Sequence, residues 1–183
     1  MEREFDNVVL IGMPGAGKST VGVLLARELG LDFVDTDLLI QRREGQRLQD
    51  IVDTGGHQAL RRIEAAVLTR LDCRGHVIAT GGSAVYSEAA MAQLSRHGVI
   101  VHLDVTLAEI RARVTDFDTR GIARAVGQSL DDLYQERRSL YCHYADLTVD
   151  VSHRDQAASA RAIAAVLRGS DAWPAGSGIM PGS

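Results

Sequence analysis

Lysine is almost missing from this chain. Lys18 is its only lysine, and the other 19 basic residues among 183 are arginines. A bias that strong is a chain-wide Arg-for-Lys preference, and the single exception marks a place where a compact ammonium on a flexible stem is wanted. Aromatic residues are scarce at 4%, so Val, Leu, Ile and Ala must supply the core. The two cysteines, Cys73 and Cys142, have no CxxC or metal-ligand spacing. They exclude a disulfide framework, fit a reducing cytosol and are read as structural. Of three prolines, Pro174 and Pro181 lie near the end and only Pro14 lies in the part expected to fold. No apolar run approaches the ~18 residues of a membrane span, and no stretch looks like a secretory signal, so a cytoplasmic protein without membrane contact is expected. The net charge is −4 with no basic block, which argues against nucleic acid as a partner. The length suits one domain with a substantial core.

What the chain does have begins near its start. The apolar run Asn7-Val8-Val9-Leu10-Ile11 leads into Gly12-Met13-Pro14-Gly15-Ala16-Gly17-Lys18-Ser19-Thr20, followed by a helix-period segment to Leu29. Together they fit G-x-x-x-x-G-K-[ST] between a strand and a helix. Glycines let backbone N–H groups close around phosphate oxygens, and the helix beginning near Gly17 adds its positive end. Lys18 is placed to reach terminal phosphates, and the Ser19 hydroxyl to ligate Mg²⁺.

Further strand-like runs occur at Asp32–Asp35, His76–Thr80, Val99–Asp104 and Asp146–Val151. Helical patterns cover Lys18–Leu29, Leu38–Arg43, Leu48–Thr54, His57–Leu71, Glu88–Arg96, Leu107–Val114, Leu130–Tyr144 and Asp155–Leu167. The alternation predicts an α/β fold: a parallel sheet with helices on both faces and ligands at the carboxyl ends of its strands. One domain over residues 1–168 is expected, and Gly169–Ser183, rich in Gly, Ser and Pro, reads as a disordered tail. Residues 115–128 have no clear period, and Arg120 and Arg124 within them favour a functional lid.

Four places carry candidate chemistry. Asp35-Thr36-Asp37 ends the second strand, where carboxylates at i and i+2 of an extended segment share a side. One could hold the Mg²⁺ hydration shell and the other an acceptor hydroxyl, although aspartate here also suits an ordinary helix cap. Arg61 and Glu64 are i, i+3 helical neighbours, so Glu64 could orient the Arg61 guanidinium for bidentate capture of a carboxylate, with Arg62 solvated. Gly81-Gly82 follows a buried-type strand and permits close approach of a ligand to backbone. In Glu136-Arg137-Arg138-Ser139-Leu140-Tyr141 either arginine could be the solvated one. Arg113 and Arg154 are weaker candidates for stacking on a purine. None of the six histidines has a ligand-like spacing.

From about Val8 to Arg154 these stations resemble the shikimate kinase family, small phosphate-loop kinases of the nucleoside-monophosphate-kinase-like fold. The resemblance implies a three-layer sandwich with strand order 2-3-1-4-5. It implies ATP phosphates on Gly15, Ala16, Gly17, Lys18, Ser19 and Thr20, and Mg²⁺ on Ser19 with Asp35 in its outer shell. It places Asp37 on the acceptor hydroxyl, Arg61 and Arg137 on the shikimate carboxylate, and Gly81 and Gly82 against the ring. Arg120 becomes the lid arginine over ATP, with Arg113 and Arg154 near the adenine. The chain departs from the family pattern at His57, Leu60, Ser83, Ser139 and in Arg120-Gly121-Ile122-Ala123, where Gly121 replaces a proline.

The expected reaction is in-line transfer of the γ-phosphoryl group of ATP to a hydroxyl, with Lys18, Asp37 and Arg120 as the catalytic side chains. A monomer acting on a small hydroxy acid is expected. Two alternatives remain open at this point: a kinase of the same fold with another hydroxy-acid or polyol acceptor, and a non-catalytic ATP-binding regulatory module.

Overall fold

The computed structural model describes residues 6–114, 121–170 and 173. Five parallel strands form one sheet: β1 (Asn7–Ile11), β2 (Asp32–Asp35), β3 (His76–Ala79), β4 (Gly98–Asp104) and β5 (Leu147–Asp150), in the order β2-β3-β1-β4-β5. Around it pack α1 (Lys18–Leu29), α2 (Thr36–Glu44), α3 (Leu48–Leu68), α4 (Glu88–Ser95), α5 (Leu107–Arg113), α6 (Leu130–Tyr144) and α7 (Gln156–Arg168).

β1 is buried along its whole length and β4 over six of its seven residues. Side chains alternate between faces, so a strand buried at successive positions is covered from both sides. That is why NVVLI and VIVHL read as continuous rather than alternating apolar runs. The register pairs Val9 with Ile78 on one side and Ile100 on the other, which puts β1 and its following loop at the centre of the sheet. The core is mostly aliphatic, as the shortage of aromatics required, with Tyr134, Tyr141 and Trp173 as its buried aromatic members among the described residues. Each fully buried Val, Leu or Ile contributes roughly 1.5–3 kcal/mol of transfer free energy.

Helix ends follow the sequence. Ser87, Thr106, Ser129 and Asp155 each accept a backbone N–H at the start of α4, α5, α6 and α7. The two helices expected at Leu48–Thr54 and His57–Leu71 form the single α3, which is interrupted at Gly56 with φ 74° and ψ 174°. A left-handed φ is tolerated there because glycine has no Cβ. α2 begins at Thr36, two residues earlier than its apolar period suggested, because Asp35 caps it. Cys73 is partly buried, as a structural cysteine would be, whereas Cys142 is exposed on α6. Residues 115–120 of the expected lid, and all of the expected tail beyond Ser170 except Trp173, lie outside the described residues. Trp173 itself is buried against the main core. No helix among the described residues is long and apolar enough to cross a membrane.

Candidate active site

A cleft of about 370 Å³ opens at the carboxyl ends of the central strands. Its first wall is the loop between β1 and α1. Gly15 (φ 82°) and Gly17 (φ 95°) take left-handed conformations that a side chain would oppose. Within the loop only the Ala16 N–H is spent internally, on Met13 O at 3.0 Å. α1 starts at Gly17 without a side-chain cap, so its first-turn amides keep open valences at the positive end of the helix. Ser19 and Thr20 are exposed and line the cleft. Lys18 is 8% exposed, and its Nζ donates to Gly12 O (2.7 Å) and Met13 O (2.9 Å). Burial lowers its pKa to about 8, against the opposing pull of Asp37.

The second wall comes from the ends of β2 and β3 and from α3 and α6. Asp35 Oδ1 accepts the N–H groups of Asp37 (2.9 Å) and Leu38 (3.4 Å). The helix-cap reading of Asp35 is therefore realised, and it corrects the extended-segment geometry: Asp37 stands in the first turn of α2, not two residues along a strand. Asp37 lines the cleft, and burial, with Asp35 close by, raises its pKa to about 6. Gly81 and Gly82 follow β3 as bare backbone. A Cβ on Gly81 would overlap Glu64 Oε1 and lie 2.8 Å from Asp37 Oδ1, and one on Gly82 would lie 2.7 Å from Arg137 Nη1. Close approach of charged side chains, not a tight turn alone, is what these glycines permit.

Of the arginine pair on α6, Arg137 is the buried one at 1% exposure, while Arg138 is exposed and pairs with Asp104 at 3.0 Å. Arg137 Nη2 donates to Ala123 O at 2.6 Å. Arg61 reaches the same carbonyl at 3.3 Å, yet it borders an adjoining cavity of about 340 Å³ and not the main cleft. No ion pair joins it to Glu64, so the expected orienting role of Glu64 is corrected. Glu64 instead accepts the Ser83 hydroxyl, and the Arg61 guanidinium lies 3.6 Å over the Tyr86 ring. Glu64 is 2% exposed; burial, with Asp37 nearby, raises its pKa to about 7. Arg61 Nε, Arg137 Nε and Glu64 Oε1 are buried without a hydrogen-bond partner. Buried polar atoms are normally satisfied, so three orphans in one neighbourhood mark where a polar ligand belongs.

Other expected positions fare differently. Arg113 lines the cleft and is held by Glu109 (2.9 Å) and Gly15 O (3.4 Å). Arg154 is exposed and does not line the cleft. Arg120 lies outside the described residues. Gly121, where the family pattern has proline, has φ 65° and donates its N–H to Gln49. Proline can adopt neither that angle nor that bond. Sequence reasoning missed Tyr86, which has no motif around it, and the Ser83–Glu64 contact, for which the serine beside Gly82 was the only signal.

The site suits a magnesium–nucleotide pair. Ser19 Oγ makes no hydrogen bond among the described residues, and Asp35 uses only Oδ1 in capping. No cluster of three or more His, Cys, Asp or Glu residues suited to a metal occurs among the described residues. That agrees with Mg²⁺, which binds through one or two protein oxygens together with phosphates and water.

Comparison with known proteins gives the same picture. The family described as Shikimate kinase matches residues 14–168. A shikimate kinase of Rippkaea orientalis is 40% identical over 149 residues, covering 80% of this chain and 79% of that protein. One from Alteromonas mediterranea is 40% identical over 161 residues, covering 86% and 92%. Among solved structures, the shikimate kinase of Acinetobacter baumannii in complex with shikimate superposes with a TM-score of 0.83 at 29% identity, covering 91% of this chain and 95% of that one. The chain belongs to the shikimate kinase family.

Proposed function

We propose that the protein transfers the γ-phosphoryl group of ATP to a ring hydroxyl of shikimate, giving shikimate 3-phosphate, as a single kinase domain spanning residues 1–168 and acting as a cytoplasmic monomer. The observation that carries this reading is the meeting, in one cleft, of a phosphate-type loop with a wall holding Asp37, Glu64 and Arg137. The free amides of residues 15 and 17–20 and the Lys18 ammonium bind the phosphates, with Ala16 holding the loop closed through Met13 O. In doing so Lys18 exchanges two carbonyl partners for a stronger anionic one. Ser19, with Asp35 behind it, would hold Mg²⁺, which would supply charge neutralisation on the phosphates.

Asp37 receives the hydroxyl proton; raised to about 6, its carboxylate is ionised at neutral pH yet basic enough to take a proton. Arg137 and Arg61 bind the acceptor carboxylate, which supplies the missing partner of each Nε. Glu64 Oε1 offers a further acceptor for a hydroxyl. Gly81 and Gly82 lie against the ring, Arg120 closes from the lid and excludes water, and Arg113 and Arg154 flank the adenine.

ADP release measured with shikimate, quinate and gluconate in parallel tests the substrate. Stimulation by shikimate at least ten times that by the others is expected. Preference for another hydroxy acid would keep the kinase chemistry and move the specificity to Ser83, whose hydroxyl engages Glu64. No acceptor-dependent turnover, together with tight ATP binding, would support a regulatory module.

A further inference from the structure

Two guanidinium groups that converge on one carbonyl repel each other, and something must hold them together before a ligand arrives. With the Glu136 carboxylate near both of them, Arg61 and Arg137 donate to Ala123 O and lie against Tyr86. Its ring lies 3.6 Å from the Arg61 guanidinium carbon and 5.5 Å from that of Arg137, both within the range where the negative face of an aromatic ring attracts a cation. The ring is itself fixed. Tyr86 ends a short 3₁₀ turn, Ala84–Tyr86, directly after Gly82 and Ser83, and its hydroxyl donates to Glu136, the residue before Arg137 on α6. Glu136 also accepts from Gln128 Nε2 at 2.6 Å, which ties the assembly to the last residue of the expected lid.

We propose that Tyr86 is the positioning residue of the acceptor-carboxylate clamp, its ring holding the Arg61 and Arg137 guanidinium groups together and aimed for one carboxylate. The inference rests on the reading that these arginines bind that carboxylate. In the free protein the ring offsets part of the like-charge repulsion, and the Ala123 carbonyl takes one N–H from each guanidinium. Both Nε atoms stay buried and unpartnered, so the clamp is preassembled rather than gathered by the ligand. Preassembly spares the acceptor the cost of ordering two long side chains.

The experiment compares shikimate with its methyl ester, which keeps the ring and hydroxyls but has no negative charge. KM for each, KM for ATP and the melting temperature are measured in wild type, Tyr86→Leu, Tyr86→Phe and Arg137→Met. Tyr86→Leu is expected to raise KM for shikimate about tenfold and to shrink the acid-over-ester preference by the same factor. KM for ATP should stay within about twofold of wild type. Tyr86→Phe keeps the ring and should restore most of the preference.

An acid-over-ester preference in Tyr86→Leu equal to wild type, with Arg137→Met having lost it, overturns the role of Tyr86 and leaves the carboxylate reading standing. A preference unchanged in Arg137→Met overturns the carboxylate reading itself. Tyr86→Phe as impaired as Tyr86→Leu overturns the assignment to the ring. A matching rise in KM for ATP and a lowered melting temperature in Tyr86→Leu, with the acid-over-ester ratio intact, marks a merely structural residue and also overturns it.

Discussion

Along the phosphate loop the groups that face the cleft are backbone amides, presented by glycines in left-handed conformations and by the first turn of α1. On the opposite wall they are buried side chains, Asp37, Glu64 and Arg137, drawn from α2, α3 and α6 and allowed to approach by two glycines that have no side chains to interfere. The loop contributes partial charges that need no counter-ion and no proton. The other wall contributes full charges whose ionisation depends on their burial and on one another. A backbone cradle therefore binds its anion over a wide pH range, whereas the acceptor wall is tuned and sensitive to pH. Lys18 is the one group common to both: it belongs to the loop by sequence, and its pKa is set by burial and by the carboxylates across the cleft.

The sharpest way to break this comparison is at Lys18. Lys18→Ala should lower kcat by about 10²–10³-fold, the loss seen when a donor to the developing charge is removed. KM for shikimate should change by less than threefold. Steady-state kinetics with each substrate varied in turn checks this, and an equal loss of acceptor binding would mean that the two walls are not separable.

Gly81→Ala comes next. Its Cβ would collide with the Glu64 carboxylate and crowd that of Asp37, and displacing reacting groups by about 1 Å costs about 10²-fold in kcat/KM. Gly45→Ala is the control: φ is 66° there, but nothing lies within 4 Å of the added carbon. It should cost about 1–2 kcal/mol of stability, read as a lowered denaturation midpoint, with unchanged kcat/KM.

The pH profile follows. kcat/KM should fall tenfold per unit below about pH 6 as Asp37 takes its proton, and fall again above about pH 8 as Lys18 loses its own. Removing Asp37 should erase the acid limb and, because its charge holds the Lys18 pKa up, move the alkaline limb to lower pH. The smallest effect is on folding. Glu64 binds its proton more tightly in the folded chain, at about 7 against an ordinary 4.5. Its contribution is fully present below about pH 4.5 and is lost as pH rises through about 7. Glu64→Gln should therefore flatten the fall in melting temperature between pH 5 and pH 8.

The two walls also differ in how far the sequence reveals them. Gly12–Thr20 is contiguous, and each residue acts through local geometry, so strand, loop, helix and the special place of Lys18 could all be read along the chain. The fold followed for the same reason: alternating strands and helices leave few topologies, and the resemblance chose among them. Asp37, Arg61, Gly82 and Arg137 were found by pattern, but their relations were not. Glu64 is an i+3 neighbour of Arg61, and local spacing suggested a pair between them. Packing instead gave Glu64 to Ser83 and put Arg61 on Tyr86. Arg137 and Arg138 are adjacent and identical in kind, and only the orientation of α6 against the Ala84–Tyr86 turn and β4 buries one and solvates the other.

By itself, then, the sequence determined the elements, the phosphate loop and the identities of the charged groups, because each depends on residues close together in the chain. The tertiary structure decided which of those groups face one another, how deeply each is buried and what ionisation it keeps. Those properties depend on distance and solvent exclusion in space, where Arg137 and Ala123, 14 residues apart, are 2.6 Å apart, and Arg61 meets that same carbonyl from 62 residues away.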